Sequence, residues 1–391
     1  MMKTSHSGLP AGLPPPDPEA LQHSEQLAAT LRRRIAASPG ASLPFDIWME
    51  AALYAPGMGY YTAGSHKLSA ARNEGDFTTA PELSPLFAQT LARQVAQILD
   101  QCEGRPQILE FGAGTGRLAA GLMATLQQDG IDAQYAILEL SPELQARQRR
   151  QLAHLGERVQ WLNTLPDAFE GCVIANEVLD AMPVQIVQWD DDGNPAELHV
   201  GLDGEAFVEC LRPAPPALQA VARERMAALP GYRSEINLRA EAWMRDLGRR
   251  LTRGAALIID YGFPRHEYYH PQRAQGTLMC HSQHHSHADP LVLVGLQDIT
   301  AHVDFTAMAD AALESGLDVL GYTAQARFLL DAGLPALLQA GSAMPDARTL
   351  SGVQTLLSEA EMGELFKVLA VGRAIDGPLI GFVSGDRRHR L

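Results

Sequence analysis

Gln107-Ile108-Leu109-Glu110-Phe111-Gly112-Ala113-Gly114-Thr115-Gly116-Arg117-Leu118-Ala119 joins a short apolar strand ending in an acid to a glycine-rich turn that opens a helix. Glycine has no Cβ, so such a turn lets a nucleotide-like ligand approach bare backbone at a helix N-terminus. From Gly114 onward the residues also satisfy the G-x-G-x-x-A form of a dinucleotide fingerprint, so the loop has to be read with its neighbours. A strand beneath a dinucleotide normally ends in apolar residues. Glu110 places a carboxylate there instead, which suits a cationic ligand group such as an amine or a sulfonium.

A second acid follows in Tyr135-Ala136-Ile137-Leu138-Glu139, at the offset of roughly twenty residues where a carboxylate meets ribose hydroxyls. Ser141 and Pro142 have the character of an N-cap and first helical residue, so the next helix opens there. Ile108 to Gln151 therefore reads as a βαβα module. Val159–Leu162 is a third strand, whose Trp161 is either an adenine-stacking residue or core. Cys172–Ala175 is a fourth strand, and it runs into Asn176-Glu177-Val178-Leu179-Asp180-Ala181-Met182-Pro183. Asn176, Glu177 and Asp180 gather where the middle strand of a doubly wound sheet opens onto its ligand. The competing reading makes Asn176 and Asp180 caps of a following helix.

The chain has 391 residues, 46% of them hydrophobic, enough for an α/β core and a second lobe. Its formal net charge of −15 excludes a phosphate-backbone footprint, and no nucleic-acid partner is expected. Cys102, Cys172, Cys210 and Cys280 form no C-x-x-C pair and read as reduced thiols of a cytoplasmic protein. No apolar run reaches transmembrane length, and no signal-peptide pattern opens the chain, so no membrane partner is expected.

Residues 1–18 read as a disordered tail, rich in Pro, Gly and Ser. Residues 19–104 read as a helical N-terminal extension or lid, with helices at Pro18–Ala37, at Pro44–Tyr54, and through Leu91, Val95 and Ile98. Residues 105–391 form the main domain, interrupted at about 184–253 by an antiparallel meander (Gln185–Trp189, Glu197–Val200, Ala206–Leu211) and helices near 217–228 and 240–251. Ala255–Gly262 resumes the core as the fifth strand, with another terminal acid at Asp260. Leu317–Gly321 and Leu379–Val383 are candidates for the last two strands.

From Pro44 onward the chain resembles the MidA-like family of class I S-adenosylmethionine-dependent methyltransferases, whose mitochondrial members are complex I assembly factors. The blocks that carry the likeness are 51–61 (AALYAPGMGYY), 75–82 (GDFTTAPE), 109–116 (LEFGAGTG), 176–184 (NEVLDAMPV), 260–262 (DYG), 276–278 (GTL) and 298–305 (DITAHVDF). The resemblance implies a Rossmann-like, seven-stranded, mostly parallel sheet with S-adenosyl-L-methionine as cofactor. It further implies dimethylation of an arginine in a protein such as a complex I subunit. The alternatives are a small-molecule methyltransferase or a non-catalytic assembly factor that keeps the cofactor fold. Cofactor contacts are expected from Asp76, Thr79, Pro81, Glu110, Gly112, Gly114, Gly116, Glu139, Leu140 and Asn176, with Asp76 to Glu82 folding over the cofactor. A homodimer is compatible with all of this.

A guanidinium is permanently protonated and presents its donors in a planar fork. Carboxylates can grip that fork bidentately, which makes Glu177, Asp180 and Asn176 the catalytic candidates, with Asp304 and Glu235 behind them. Members of the family often carry a basic residue in the stretch held here by Gln283 and His285. Cys280 to His287 invites a zinc reading, but its adjacent histidines match no structural zinc spacing, and no metal is expected. His284 and His287 are read as lining the substrate cleft or bonding nearby carboxylates.

Overall fold

The computed structural model describes residues 9, 12–63, 79–340 and 346–391. Contacts divide the chain into two compact units, one of residues 1–77, 180–239 and 265–302, the other of residues 78–179, 240–264 and 303–391. The helix Pro85–Leu99, read from sequence as part of the extension, thus falls in the second unit with the glycine loop.

The second unit is built on a mixed eight-stranded sheet. Its main path runs Asp318–Ala324, Phe366–Arg373, Leu251–Phe263, Phe169–Asn176, Gln107–Phe111, Gln134–Leu138, Val159–Leu162, and the two-residue strand Val303–Asp304 pairs with Leu251–Phe263. The five pairings among the central strands and with Val303–Asp304 are parallel, whereas Phe366–Arg373 lies antiparallel to both its neighbours. The expected seven-stranded sheet is therefore corrected to a mixed one of eight. The central strands read as continuous apolar runs because both faces are buried, Val173, Ile174, Leu257 and Ile258 being fully enclosed. The helices Pro85–Leu99 and Arg117–Gln128 pack closely, since a Cβ on Gly121 would lie 2.6 Å from that of Ala88.

Leu379–Val383 is not a strand. Ile380–Phe382 forms a 3₁₀ turn in which a Cβ on Gly381 would strike the Phe328 ring, and the last strand is Phe366–Arg373. No helix follows Asn176 either, because residues 177–182 form a turn. The capping reading of Asn176 and Asp180 falls with it.

The first unit holds a five-stranded sheet in which Ser42–Pro44, Pro195–Asp203, Gln185–Trp189 and Arg233–Ile236 lie in that order and Ala206–Pro213 pairs with Pro195–Asp203, all antiparallel. The helices Pro18–Ala37 and Phe45–Tyr54 share its core, where Trp48 meets Phe207 edge to face. Asp17 caps the first helix and Leu13 packs beside Ala20 and Leu293, so the end of the expected tail is docked; residues 1–8, 10 and 11 lie outside the described residues. Met279–Ser282, His285–His287 and Asp298–Thr300 form a separate three-stranded sheet.

Candidate active site

The glycine loop begins where the first core strand leaves the sheet. Gly112, Gly114 and Gly116 have φ of 60°, 52° and 85°, a left-handed series that side chains with a Cβ avoid. Gly116 caps the helix Arg117–Gln128, whose leading N–H groups form an anion-favouring end. A Cβ on Gly114 would meet no protein atom within 4 Å, so the loop's outer face is kept clear by residue choice.

Beneath the loop Glu110 is almost fully buried and accepts a 2.9 Å hydrogen bond from the Tyr135 hydroxyl. Burial pushes its carboxyl up to about 8; the Tyr135 bond opposes this and nearby Glu139 adds to it. Glu139 accepts from the Ser141 N–H at 2.9 Å and from Gln148 Nε2 at 3.0 Å, and burial outweighs these bonds to raise its pKa. Gln148 Nε2 also donates to the Gly114 carbonyl at 3.0 Å while its Oε1 accepts from Trp161 Nε1 at 2.9 Å. Trp161 therefore braces the loop through Gln148. Leu140, directly after Glu139, stands 66% exposed, an apolar face beside two buried acids.

The turn after the fourth strand supplies the other wall. Glu177 has φ 54°, a left-handed conformation costing a residue with a Cβ about 1–2 kcal/mol. Its N–H donates to the Ile259 carbonyl at 2.8 Å, and its Oε1 accepts from Asn176 Nδ2 at 3.0 Å and from the Ala80 N–H at 3.4 Å. Asn176 Oδ1 is buried with no hydrogen-bond partner among the described residues. Pro81 lies in the short helix Ala80–Leu83, which follows Thr79; Glu82 at its end bonds the Thr115 hydroxyl and pairs with Arg117 at 2.9 Å. Thr79 to Glu82 is thereby pinned to the glycine loop. Asp76, expected in the same lid, lies outside the described residues.

Asp260 was noticed in the sequence only as an acid closing the fifth strand. Fully buried, it accepts from the N–H groups of Val178 at 3.2 Å, Leu179 at 3.0 Å and Tyr261 at 2.9 Å. Asp304 caps the helix Phe305–Glu314 through the Ala307 N–H.

In the first unit Asp180 is buried and its carbonyl accepts from the Ala301 N–H. Tyr61 donates to both carboxylate oxygens of Asp298 at 2.9 Å and stacks on Tyr54; burial first, then the charges of Asp298 and Asp180, hold its pKa well above the usual phenol value. Glu235 accepts from the Thr277 N–H and hydroxyl and from the Leu278 N–H, so it fixes the Gly-Thr-Leu loop. Cys280 to His287 is a hairpin turning at Gln283 and His284, both at positive φ, with Cys280 paired opposite His287. His287 Nδ1 accepts from the Asp289 N–H, and His285 Nδ1 lies 2.7 Å from the Gln283 carbonyl oxygen.

A left-handed glycine series leading a helix, braced by a buried acid at each of two adjacent strand ends, defines a nucleotide-dependent transferase of α/β type. Residues 90–323, more than half of the chain, match the family model described as "Putative S-adenosyl-L-methionine-dependent methyltransferase", and the chain belongs to that family. The cofactor is accordingly S-adenosyl-L-methionine. A curated relative, the mitochondrial "Protein arginine methyltransferase NDUFAF7 homolog" of Drosophila melanogaster, is 30% identical over 93% of this chain and 90% of its own. The mouse protein arginine methyltransferase NDUFAF7, mitochondrial, is 27% identical over 83% of this chain and 79% of its own. A solved structure, a COG1565 superfamily member from Burkholderia thailandensis bound to S-adenosyl-homocysteine, superposes with a TM-score of 0.91 at 52% identity, covering 97% of this chain and all of that one. The expectation of a cytoplasmic protein is overturned by the names of the animal relatives, which are mitochondrial.

Proposed function

We propose that this methyltransferase acts on the guanidinium of an arginine exposed on a partner protein, adding two methyl groups, with a subunit of respiratory complex I as the target the family resemblance implies. The observation that carries this reading is Glu177, a carboxylate held in a costly left-handed turn beside the glycine loop, together with the arginine-methyltransferase name of the Drosophila relative. The loop fits S-adenosylmethionine. Three left-handed glycines clear its outer face, Leu140 offers an apolar surface, Glu139 lies at the strand end where ribose hydroxyls are met, and Asn176 presents an unsatisfied buried oxygen. When bound, the cofactor supplies a methyl group on a cationic sulfur.

The protein's own residues do the rest. Glu177 grips the guanidinium fork and draws its positive charge away from the nitrogen that attacks. As the new N–C bond forms, that nitrogen's proton passes to the carboxylate beside it. Asp180, the first residue after the turn, supplies a second acidic contact, and Asn176 orients Glu177 through Oε1. Asp76, Thr79 and Pro81 close over the cofactor, with Glu82 as their anchor to the loop. Most of the rate gain comes from positioning. Mass spectrometry of lysates from cells with and without the protein tests the reading: a dimethylarginine that disappears with the protein supports it, and an unchanged methylarginine inventory contradicts it.

A further inference from the structure

Asp260 has its side chain at the end of the fifth strand, wholly enclosed, where three main-chain N–H groups converge on it. Two of them, Val178 and Leu179, belong to the turn immediately after Glu177, and the third is its own neighbour Tyr261. The Glu177 N–H is tied to Ile259, the residue before Asp260. The left-handed backbone of Glu177 is thus clamped on both sides by one two-residue stretch of the neighbouring strand. Left to itself, a residue with a Cβ would relax towards the extended region and carry its side chain elsewhere. Lys367 stands directly opposite Asp260 in the antiparallel register, hence on the same sheet face; it is buried too, and its Nζ donates to the Glu364 and Leu365 carbonyls.

We infer that Asp260 is a positioning residue for methyl transfer, acting by holding the turn at Val178 and Leu179 so that Glu177 stays in its left-handed conformation. This rests on the proposed role of Glu177 and names the group that makes that role available. Only a carboxylate meets the demand. Oδ2 serves two N–H groups while Oδ1 serves the third, whereas an asparagine would turn donors of its own towards one of those sets.

Asp260→Asn, Glu177→Gln and the double variant test it in three readouts: hydrogen exchange at Val178 and Leu179, calorimetric affinity for S-adenosylhomocysteine, and transfer of labelled methyl. Loss of the bonds in D260N should speed exchange at the two amides by about tenfold or more while the central strands keep their protection. Product affinity should stay within about threefold, and kcat should fall by about tenfold or more. In the E177Q background D260N should cost transfer little, because both changes disable one device. Additive losses, or unchanged exchange at Val178 and Leu179, overturn the inference while leaving Glu177 in place. Full transfer by E177Q alone overturns the role of Glu177 itself. Should D260N not fold, Glu177→Gly with Asp260→Asn should fold, since glycine adopts φ near 54° unaided. Failure of that pair to fold counts against the inference.

Discussion

Glu177 and Asp260 divide one task. The first carries charge to the reacting nitrogen, and the second spends its own on main-chain N–H groups. Glu177→Gln should leave affinity for S-adenosylhomocysteine nearly unchanged and lower methyl transfer by about a hundredfold or more, because the carboxylate's contact is realised mainly at the reacting centre. Undiminished transfer would remove Glu177 from the mechanism. Gly114→Val should abolish cofactor binding in a calorimetric titration. Its side chain would project into the face the loop keeps clear, at a φ of 52° that a β-branched residue resists. Retained affinity would place the ligand elsewhere. Glu110 gives a pH signature. Its folded pKa, about 8, lies above the ordinary carboxylate value of 4.5, so between these pH values the native state holds a proton that the unfolded chain has lost. Its contribution to stability is complete below about pH 4.5 and fades as pH rises through 8. Glu110→Gln cannot ionise. In the ligand-free protein its melting temperature should gain on the wild type by about 2 °C or more between pH 5 and pH 8. A constant difference across that range would show that Glu110 does not titrate there.

At the scale of elements, the short helix Ala80–Leu83 is joined to the glycine loop by Glu82, through Thr115 and Arg117. Cofactor should slow hydrogen exchange in residues 79–82 together with the loop. Glu82→Ala should uncouple the two and weaken affinity by about three- to tenfold, the effect of losing one charge-assisted tie. Protection confined to the loop would mean that this segment is no lid. The same scale shows what the sequence could and could not tell. The helix Pro18–Ala37 was legible to the residue, because proline opens it and Ser38-Pro39-Gly40 closes it. The strand Val159–Leu162 and the three meander strands were legible from apolar runs between turn residues. Phe366–Arg373 was missed because Lys367 breaks its apolar pattern, and that lysine is buried only through tertiary partners. Leu379–Val383 looked like a strand because five apolar or small residues stand together. What sets its conformation is Phe328, about fifty residues away in sequence and packed on Gly381. For the site, Glu110, the three glycines and Glu139 were readable from spacing alone. The work of Gln148 and Asp260 was not, since each acts on main-chain atoms that only the folded sheet brings near.

At the scale of the whole molecule, acidic side chains outnumber basic ones by 15, which favours cationic partners and disfavours nucleic acid. No helix among the described residues is long and apolar enough to cross a membrane. The two units divide the chemistry between them. The second carries the glycine loop, Glu177 and Asp260, while the first carries Asp180 and the Tyr54, Tyr61 and Asp298 cluster. Family membership makes the methyl donor secure, so the central claim is the acceptor. It is tested most directly by incubating the purified protein with labelled S-adenosylmethionine and candidate partner proteins, hydrolysing the product and separating its amino acids. Label in dimethylarginine, lost with Glu177→Gln, is the predicted result; label on lysine, on a carboxylate or on a small metabolite would contradict it.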